Sequence, residues 1–414
     1  MDQAHFPTSI SLNMLAKPVG STCNLKCTYC YYLEKENLYP GQASLRQMDD
    51  RVLEDFIAQT IYSTRERVVL FAWHGGEPLL RGFGFFNKVL QLQKKHGAGK
   101  LIENSLQTNG TLLTNEWCRF FSDHQFLIGI SVDGPVHCHD HYRKYSNGEG
   151  SFAGCMKGLN LLIQHKVEFN TLSVVNDYTV QFPLEIYNFL KNAGSRFMQF
   201  LPVVERTDRC ALTGADKHFD SRTLIPVSVT SHTVDPDTYG NFLITLFNDW
   251  VKKDVGECFV LTFDCVLANW MGVPPPVCVS AETCGNAGVV EFNGDVYSCD
   301  HFVFPEYRLG NIREKSLLTL MNSEIQRRFG RYKKDGLPAY CRRCEFLKLC
   351  NGECPKNRIS ITPSGEPGLN YLCSGLKKFY RHTRPFFDFM ANELRHKRPP
   401  SNVKQWALTR RPAI

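Results

Sequence analysis

No apolar run in this chain approaches the ~18 residues of a membrane-spanning helix, so no spanning helix and no membrane partner are expected. Met1 to Lys17 lack a basic flank followed by an apolar core, so no signal peptide is expected and the cytoplasm is the expected compartment. There is no tandem repeat and no low-complexity tract, which excludes solenoid and compositionally disordered architectures. Charge of one sign is not in large excess: 48 Lys and Arg stand against 41 Asp and Glu, a net of +7. Part of that excess lies between Arg395 and Arg411, read as a basic, solvated and partly disordered tail; no nucleic-acid partner is expected. Hydrophobic content of 43% and charged content of 21% are those of an ordinary globular chain.

What the chain does have is cysteine, 17 in 414 residues. In a reducing compartment these are better read as ligands than as disulfides. Cys23, Cys27 and Cys30 form a C-x3-C-x2-C run. Three thiolates cannot complete a tetrahedral structural zinc site without a distant fourth ligand. They can hold three irons of a four-iron cubane and leave the fourth iron open to a chelating substrate. A second array, Cys278, Cys284 and Cys299, then Cys341, Cys344, Cys350 and Cys354, then Cys373, supplies eight thiols. Eight suffice for two fully ligated four-iron clusters or for two four-thiolate zinc sites. Of the other six, Cys118 and Cys155 read as small core residues in helices. Cys138, Cys210, Cys258 and Cys265 receive no assignment.

Between the two arrays the pattern alternates. Strands are expected at 12–19, 68–73, 104–108, 126–132, 167–175 and 197–204. Helices are expected after Asp49-Asp50 and at 83–96, 115–124, 152–165, 182–193 and 239–252. Six strand-helix units predict an α/β fold, an incomplete (β/α)6 TIM-like barrel open on one side. The punctuating motifs fall at strand C-terminal ends, where such barrels build their sites. Alternation stops near residue 255. The expected division is a partial barrel over 1–255, a cysteine-rich domain over 256–395 and a tail over 396–414. The long irregular stretch Glu205 to Asp237 is expected to be functional or disordered.

His74-Gly75-Gly76-Glu77-Pro78 closes the second strand. Glycines there expose backbone carbonyls, and Glu77 adds negative charge, acceptors that suit an ammonium group. Ser131 and Asp133 close the fourth strand, and Arg143 follows with a guanidinium suited to a carboxylate. Asp133 also fits plain turn chemistry in Asp-Gly-Pro.

Together these residues resemble the radical S-adenosylmethionine (SAM) enzymes. The resemblance implies that the cysteine loop, with Tyr29 before its last Cys, holds a [4Fe-4S] cluster whose open iron chelates SAM. It implies that Gly-Gly-Glu-Pro, including Gly76 and Glu77, holds the SAM ammonium. It also implies that Ser131 and Arg143 contact SAM, with Val204 an apolar wall beside the adenine. The C-terminal array, with its Gly294-x4-Cys299, resembles the SPASM domain of peptide-modifying members of this superfamily. Carried over, Cys278, Cys284, Cys299 and Cys354 hold one auxiliary cluster, and Cys341, Cys344, Cys350 and Cys373 hold another, for three [4Fe-4S] clusters in all.

Asp300, directly after Cys299, matches an Asp of the anaerobic sulfatase-maturating enzymes, and Tyr31-Tyr32 extends that likeness. The resemblance implies an oxidoreductase that turns a Cys or Ser of an unmodified sulfatase into Cα-formylglycine, with Asp300 as the general base. Burial is expected to raise the Asp300 pKa toward that task. Alternatively, Asp300 is a structural cap beside Cys299. The implied partners are an unfolded or nascent sulfatase bearing Cys/Ser-x-Pro/Ala-x-Arg, and a low-potential flavodoxin or ferredoxin. Another SPASM peptide maturase, forming thioether or carbon-carbon crosslinks, is the alternative within enzymes. A zinc-bearing nucleic-acid binder is the alternative outside them, and it leaves Gly75-Gly76-Glu77 and the six units unexplained.

Overall fold

A computed structural model describes residues 13–39, 47–207 and 228–409. Cys210, Arg410, Arg411 and much of the irregular stretch after Glu205 lie outside the described residues. One ten-stranded sheet organises the chain. Its parallel part runs β1 (Met14–Lys17), β2 (Val68–Trp73), β3 (Leu101–Thr108), β4 (Leu127–Ser131), β5 (Phe169–Val175), β6 (Phe197–Pro202) and a short β7 (Phe259–Val260), each paired with the next. The helices between are α1 (Asp50–Ser63), α2 (Gly82–His96), α3 (Asn115–Asp123), α4 (Val136–Tyr142), α5 (Phe152–Gln164), α6 (Pro183–Asn192) and α7 (Pro236–Lys253). This is the open, mixed α/β barrel expected from the alternation. Helix α4 is an addition to it; it brings Arg143, its C-cap, back beside the end of β4.

Local chemistry starts the helices where the sequence signals them. Asp49 accepts from the Val52 amide at 2.8 Å, Thr114 from Trp117 at 3.2 Å and Asp235 from Thr238 at 2.9 Å. Each such cap is worth about 1 kcal/mol. The apolar stripes then fill the core. Phe56 of α1 meets Phe71 and Trp73 of β2 edge-on, and Trp73 meets Phe86 of α2, all four almost fully buried. Aromatic pairs of this kind add ~0.5–1.5 kcal/mol each to their burial. Cys118 and Cys155 are fully buried in this core, as small residues in helices should be.

The sheet does not stop at the expected domain boundary. β8 (Val289–Glu291) adds in parallel to the free edge of β1, and β9 (Asp295–Tyr297) and β10 (Arg308–Asn311) extend it antiparallel. The cysteine-rich region is therefore stitched into the barrel's own sheet. Beyond β7 come α8 (Leu261–Met271), α9 (Leu317–Met321), α10 (Glu324–Asp335), α11 (Ala339–Arg342), α12 (Leu347–Cys350), α13 (Cys373–Arg395) and α14 (Val403–Thr409). Helix α13 lies along α7 at a crossing of two glycines: a Cβ on Gly375 would sit 1.8 Å from the Pro236 carbonyl. That close approach ties Cys373, two residues earlier, to the barrel.

The expected solvated tail is ordered through Thr409. Val403 and Ala407 are buried, Arg398 makes a forked pair with Glu393, and Lys404 reaches Glu257 at 2.6 Å. Arg398 and Lys404 thus have partners within the fold, which composition alone does not reveal. No described helix is long and apolar enough to cross a membrane.

Candidate active site

The site lies at the C-terminal ends of β1 to β6. Leaving β1, the chain enters the cysteine loop, which is pinned from below. Lys26 and Thr28 donate their amides to the Lys144 and Tyr142 carbonyls at 2.8 and 3.3 Å. Leu25, Cys27, Tyr29 and Val203 form a small apolar cluster against which Cys23 and Cys30 pack. Burial pushes the Cys23 thiol up to about 11 and Cys27 to about 12. Such thiols keep their protons until a metal displaces them.

The Gly-Gly-Glu turn after β2 locks onto this loop. Gly76 and Glu77 donate their amides to the carbonyls of Gly20 and Thr22, at 2.8 and 2.9 Å. A Cβ on Gly76 would stand 1.8 Å from the Thr22 carbonyl oxygen. Only glycine permits that approach. Gly76→Ala should therefore cost about 1–3 kcal/mol, read as a lower thermal midpoint, and should weaken SAM retention in equilibrium dialysis. Unchanged values in both measurements would remove Gly76 from the site.

Glu77 behaves differently from its sequence reading. Its carboxylate is fully buried and accepts from Thr108 Oγ1 (2.9 and 3.0 Å), the Asn109 amide (2.8 Å) and the Leu79 amide (3.1 Å). Burial still pushes it up to about 7 against the pull of those donors. It braces the turn from inside and leaves the backbone of Gly75-Gly76 as the acceptor surface.

Ser131 stands at the end of β4, half-buried. Behind the loop, Tyr29 donates to Asp133 at 2.5 Å and accepts from Arg143 Nη1 at 2.7 Å. Arg143 and Asp133 are 3.8 Å apart, and Asp133 also accepts from the Val174 amide at 2.9 Å. Arg143 Nε is buried without a hydrogen-bond partner among the described residues. A spare buried guanidinium donor beside the cysteine loop suits a carboxylate. Val203, just beyond the sixth strand's end, packs against the loop, and Val204 beside it packs in the main core.

The C-terminal cysteines gather in the two expected interleaved sets. Cys278 and Cys354 lie close enough to Cys284 and Cys299 to push both thiols up, and Cys341 lies close enough to do the same to Cys350 and Cys373, with Cys344 also beside Cys373. Among the described residues no three His, Cys, Asp or Glu side chains are set to grip one metal ion. A cubane asks for something else, since each thiolate binds a different iron. Gln326 joins the loops of the first set, donating to the Gly285 and Ser298 carbonyls at 2.8 and 3.1 Å. Gly330 lets α10 reach Cys284, whose carbonyl oxygen lies 2.3 Å from where a Cβ would be. Asn351, Gly352 and Glu353, between Cys350 and Cys354, all have positive φ. That tight turn serves both sets at once.

The two cysteine regions meet over one carboxylate. Lys17 of β1 pairs in register with Glu291 of β8, and His74, one residue past β2, donates its amide to the Ala16 carbonyl and continues that row. Lys17 is completely buried, yet its Nζ lies 2.5 Å from Asp300 Oδ1 and 2.5 Å from His74 Nδ1. It also sits 3.9 Å from the centre of the Tyr32 ring. Tyr31 donates its hydroxyl to Asp300 and Tyr32 donates to Glu291. Asp300 keeps 21% of its side chain accessible. Burial pushes the Asp300 carboxyl up, but the Lys17 ammonium more than reverses it and holds the group below the usual carboxylate range. The expected upward shift is thus overturned by a lysine that the sequence reading missed. Burial and Lys17 together hold His74 down to about 3, so it is neutral and its Nδ1 accepts from the ammonium. The available signal for Lys17 is its place: a lone lysine closing an apolar strand at the barrel's site end.

This arrangement, an open three-cysteine loop joined to two four-cysteine sets, defines a radical SAM protein with auxiliary clusters. Residues 18–190 match the model of the radical SAM superfamily, and 282–345 match SPASM, an iron-sulfur cluster-binding domain. The chain is 50% identical, over 96% of its length and 95% of the relative's, to a serine-type anaerobic sulfatase-maturating enzyme of Bacteroides thetaiotaomicron. It is 33% identical to a cysteine-type enzyme of Clostridium novyi, over 94% and 99% of the two chains. A solved structure, native anSMEcpe with bound AdoMet and Cp18Cys peptide, superposes with a TM-score of 0.80 at 32% identity, covering 92% of this chain and 99% of that one. The chain belongs to the anaerobic sulfatase-maturating enzymes.

Proposed function

We propose that this enzyme oxidises an active-site Ser or Cys of an unmodified sulfatase to Cα-formylglycine, consuming SAM. The observation that carries the proposal is the ionised, partly open Asp300, held by Tyr31 from the cysteine loop, Lys17 from β1 and its own position after Cys299. Cys23, Cys27 and Cys30 would hold the SAM-binding [4Fe-4S] cluster, and the two sets of four would hold auxiliary [4Fe-4S] clusters. When bound and reduced, the first cluster supplies the electron that splits SAM into methionine and a 5'-deoxyadenosyl radical.

The chain's own residues do the rest of the positioning. The Gly75-Gly76 backbone offers acceptors to the SAM ammonium, and Arg143, braced by Tyr29, offers a donor to its carboxylate. Ser131 and Val203 line the pocket beside them. Once the substrate Cβ has lost its hydrogen atom to the 5'-deoxyadenosyl radical, Asp300 takes the hydroxyl or thiol proton. The remaining electron would pass to the auxiliary cluster that the Cys299 set would hold, and a thioaldehyde formed from Cys would then hydrolyse to the aldehyde with release of sulfide. A carboxylate is a weak base for such a group, but a radical on Cβ makes that proton far more acidic. Lys17 keeps Asp300 ionised and aimed, and His74 and Tyr32 hold Lys17.

The peptide partner proposed is an unfolded sulfatase segment bearing Cys/Ser-x-Pro/Ala-x-Arg, and the electron donor a low-potential flavodoxin or ferredoxin. None of the 16 described cysteines is in a disulfide, which suits the cytoplasm. The test is mass spectrometry of Ser- and Cys-containing sulfatase peptides after anaerobic turnover. The serine-type name of the 50%-identical relative makes the Ser peptide the first substrate to try. Formylglycine is expected, with deuterium from the substrate Cβ recovered in 5'-deoxyadenosine. Label retained wholly in the peptide, or a crosslinked product, would overturn the proposal.

A further inference from the structure

The net charge of the chain is not spread evenly. Residues 341–384 hold nine Lys and Arg against three Glu, a net of +6, while the whole chain carries +7. That segment carries the four cysteines of the second set. Some of its positive charge, with Lys333 nearby, serves the interior. Arg358 is buried and donates to the Gly352 and Asn351 carbonyls, and Lys333 donates to those of Cys278 and Val279. These cations can offset the charge of the clusters from inside.

Arg342, Arg343 and Lys348 do something else. All three are exposed and make no ion pair among the described residues. They flank Cys341, Cys344 and Cys350 in sequence, and Cys344 and Cys350 are only half-buried. Glu345, the exposed acid among them, is taken by Arg381 and Arg384 of α13 at 3.6 and 3.5 Å. Lys377 adds a further cation, 3.0 Å from the Tyr340 hydroxyl. Within two residues of Cys341, Cys344 and Cys350, the exposed charge without an ion-pair partner among the described residues is therefore all positive, and that stretch of surface is the positive face. A face that only balanced internal charge would point its cations inward. A nucleic-acid surface would have no reason to be centred on these cysteines.

We propose that this face docks an acidic one-electron carrier protein of the flavodoxin or ferredoxin class. The proposal rests on the radical SAM reading above. The carrier gives one electron to the protein and is itself oxidised by one electron; no bond forms or breaks and no proton need move. Steering by opposite charge speeds such encounters and makes them salt-sensitive.

The test uses reconstituted holoenzyme and a purified bacterial flavodoxin, with affinity measured by calorimetry at low and high ionic strength. Arg342→Glu/Arg343→Glu/Lys348→Glu should bind flavodoxin roughly tenfold or more weakly at low salt, and the difference from wild type should shrink at high salt. Its iron content and its SAM cleavage driven by dithionite should match wild type. If the triple reversal does not fold, Arg342→Gln/Arg343→Gln should show the same trend more weakly. Unchanged flavodoxin affinity in the folded variants would overturn the proposal, as would wild-type holoenzyme that binds a DNA oligonucleotide and not flavodoxin. Failure of the wild type to cleave SAM even with dithionite would instead overturn the radical SAM reading beneath it.

Discussion

Asp300→Asn should keep all three clusters, bind SAM and still form some 5'-deoxyadenosine, while its formylglycine yield falls by ~10²–10⁴-fold. Asparagine preserves the size of the side chain and can still accept from Tyr31. It cannot take a proton as a carboxylate does, and it leaves Lys17, fully buried, without its anionic partner. Removing one member of a buried pair commonly costs ~3–5 kcal/mol. Lys17 retains His74 Nδ1 and the Tyr32 ring, so the cost here should fall at the low end. Iron content and thermal midpoint must therefore be measured beside aldehyde yield. A purely structural Asp300 would show iron lost from the Cys299 set in step with activity. Wild-type formylglycine yield with intact clusters would remove Asp300 from the chemistry altogether.

Much of this site was legible because its signals are local. A C-x3-C-x2-C run, a Gly-Gly-Glu-Pro turn and strand-helix alternation are each written within a few residues, and β2 has the bounds its apolar run suggests. Lys17 was not legible for the opposite reason. A lysine ordinarily reads as a solvated charge. It becomes an active-site group only when β8, more than 270 residues later, pairs with β1 and brings Asp300 over it. The same non-local pairing hid the continuity of the sheet across residue 255. Val203 and Val204 show a third limit. Both lie beyond the end of β6, where strand alternation no longer says which way a side chain points.

Replacing Cys23, Cys27 and Cys30 together with Ala should have the larger effect. Iron should fall from about twelve to about eight per chain, and SAM cleavage should vanish rather than slow. The fold should survive, because the loop is held by more than its thiols. Leu25 and Tyr29 remain packed, the Lys26 and Thr28 amides keep their carbonyl partners, and Gly76 and Glu77 still bind the loop's start. The eight C-terminal cysteines hang on a separate frame built from Gln326, Gly330 and the turn at Asn351 to Glu353. The two kinds of variant thus separate two questions. Asp300→Asn leaves 5'-deoxyadenosine and removes the aldehyde, whereas the triple cysteine variant removes both and leaves two-thirds of the iron. Loss of all the iron would mean that the three sites assemble as one unit. Zinc in place of iron after anaerobic reconstitution of the wild type would end the cluster assignment itself.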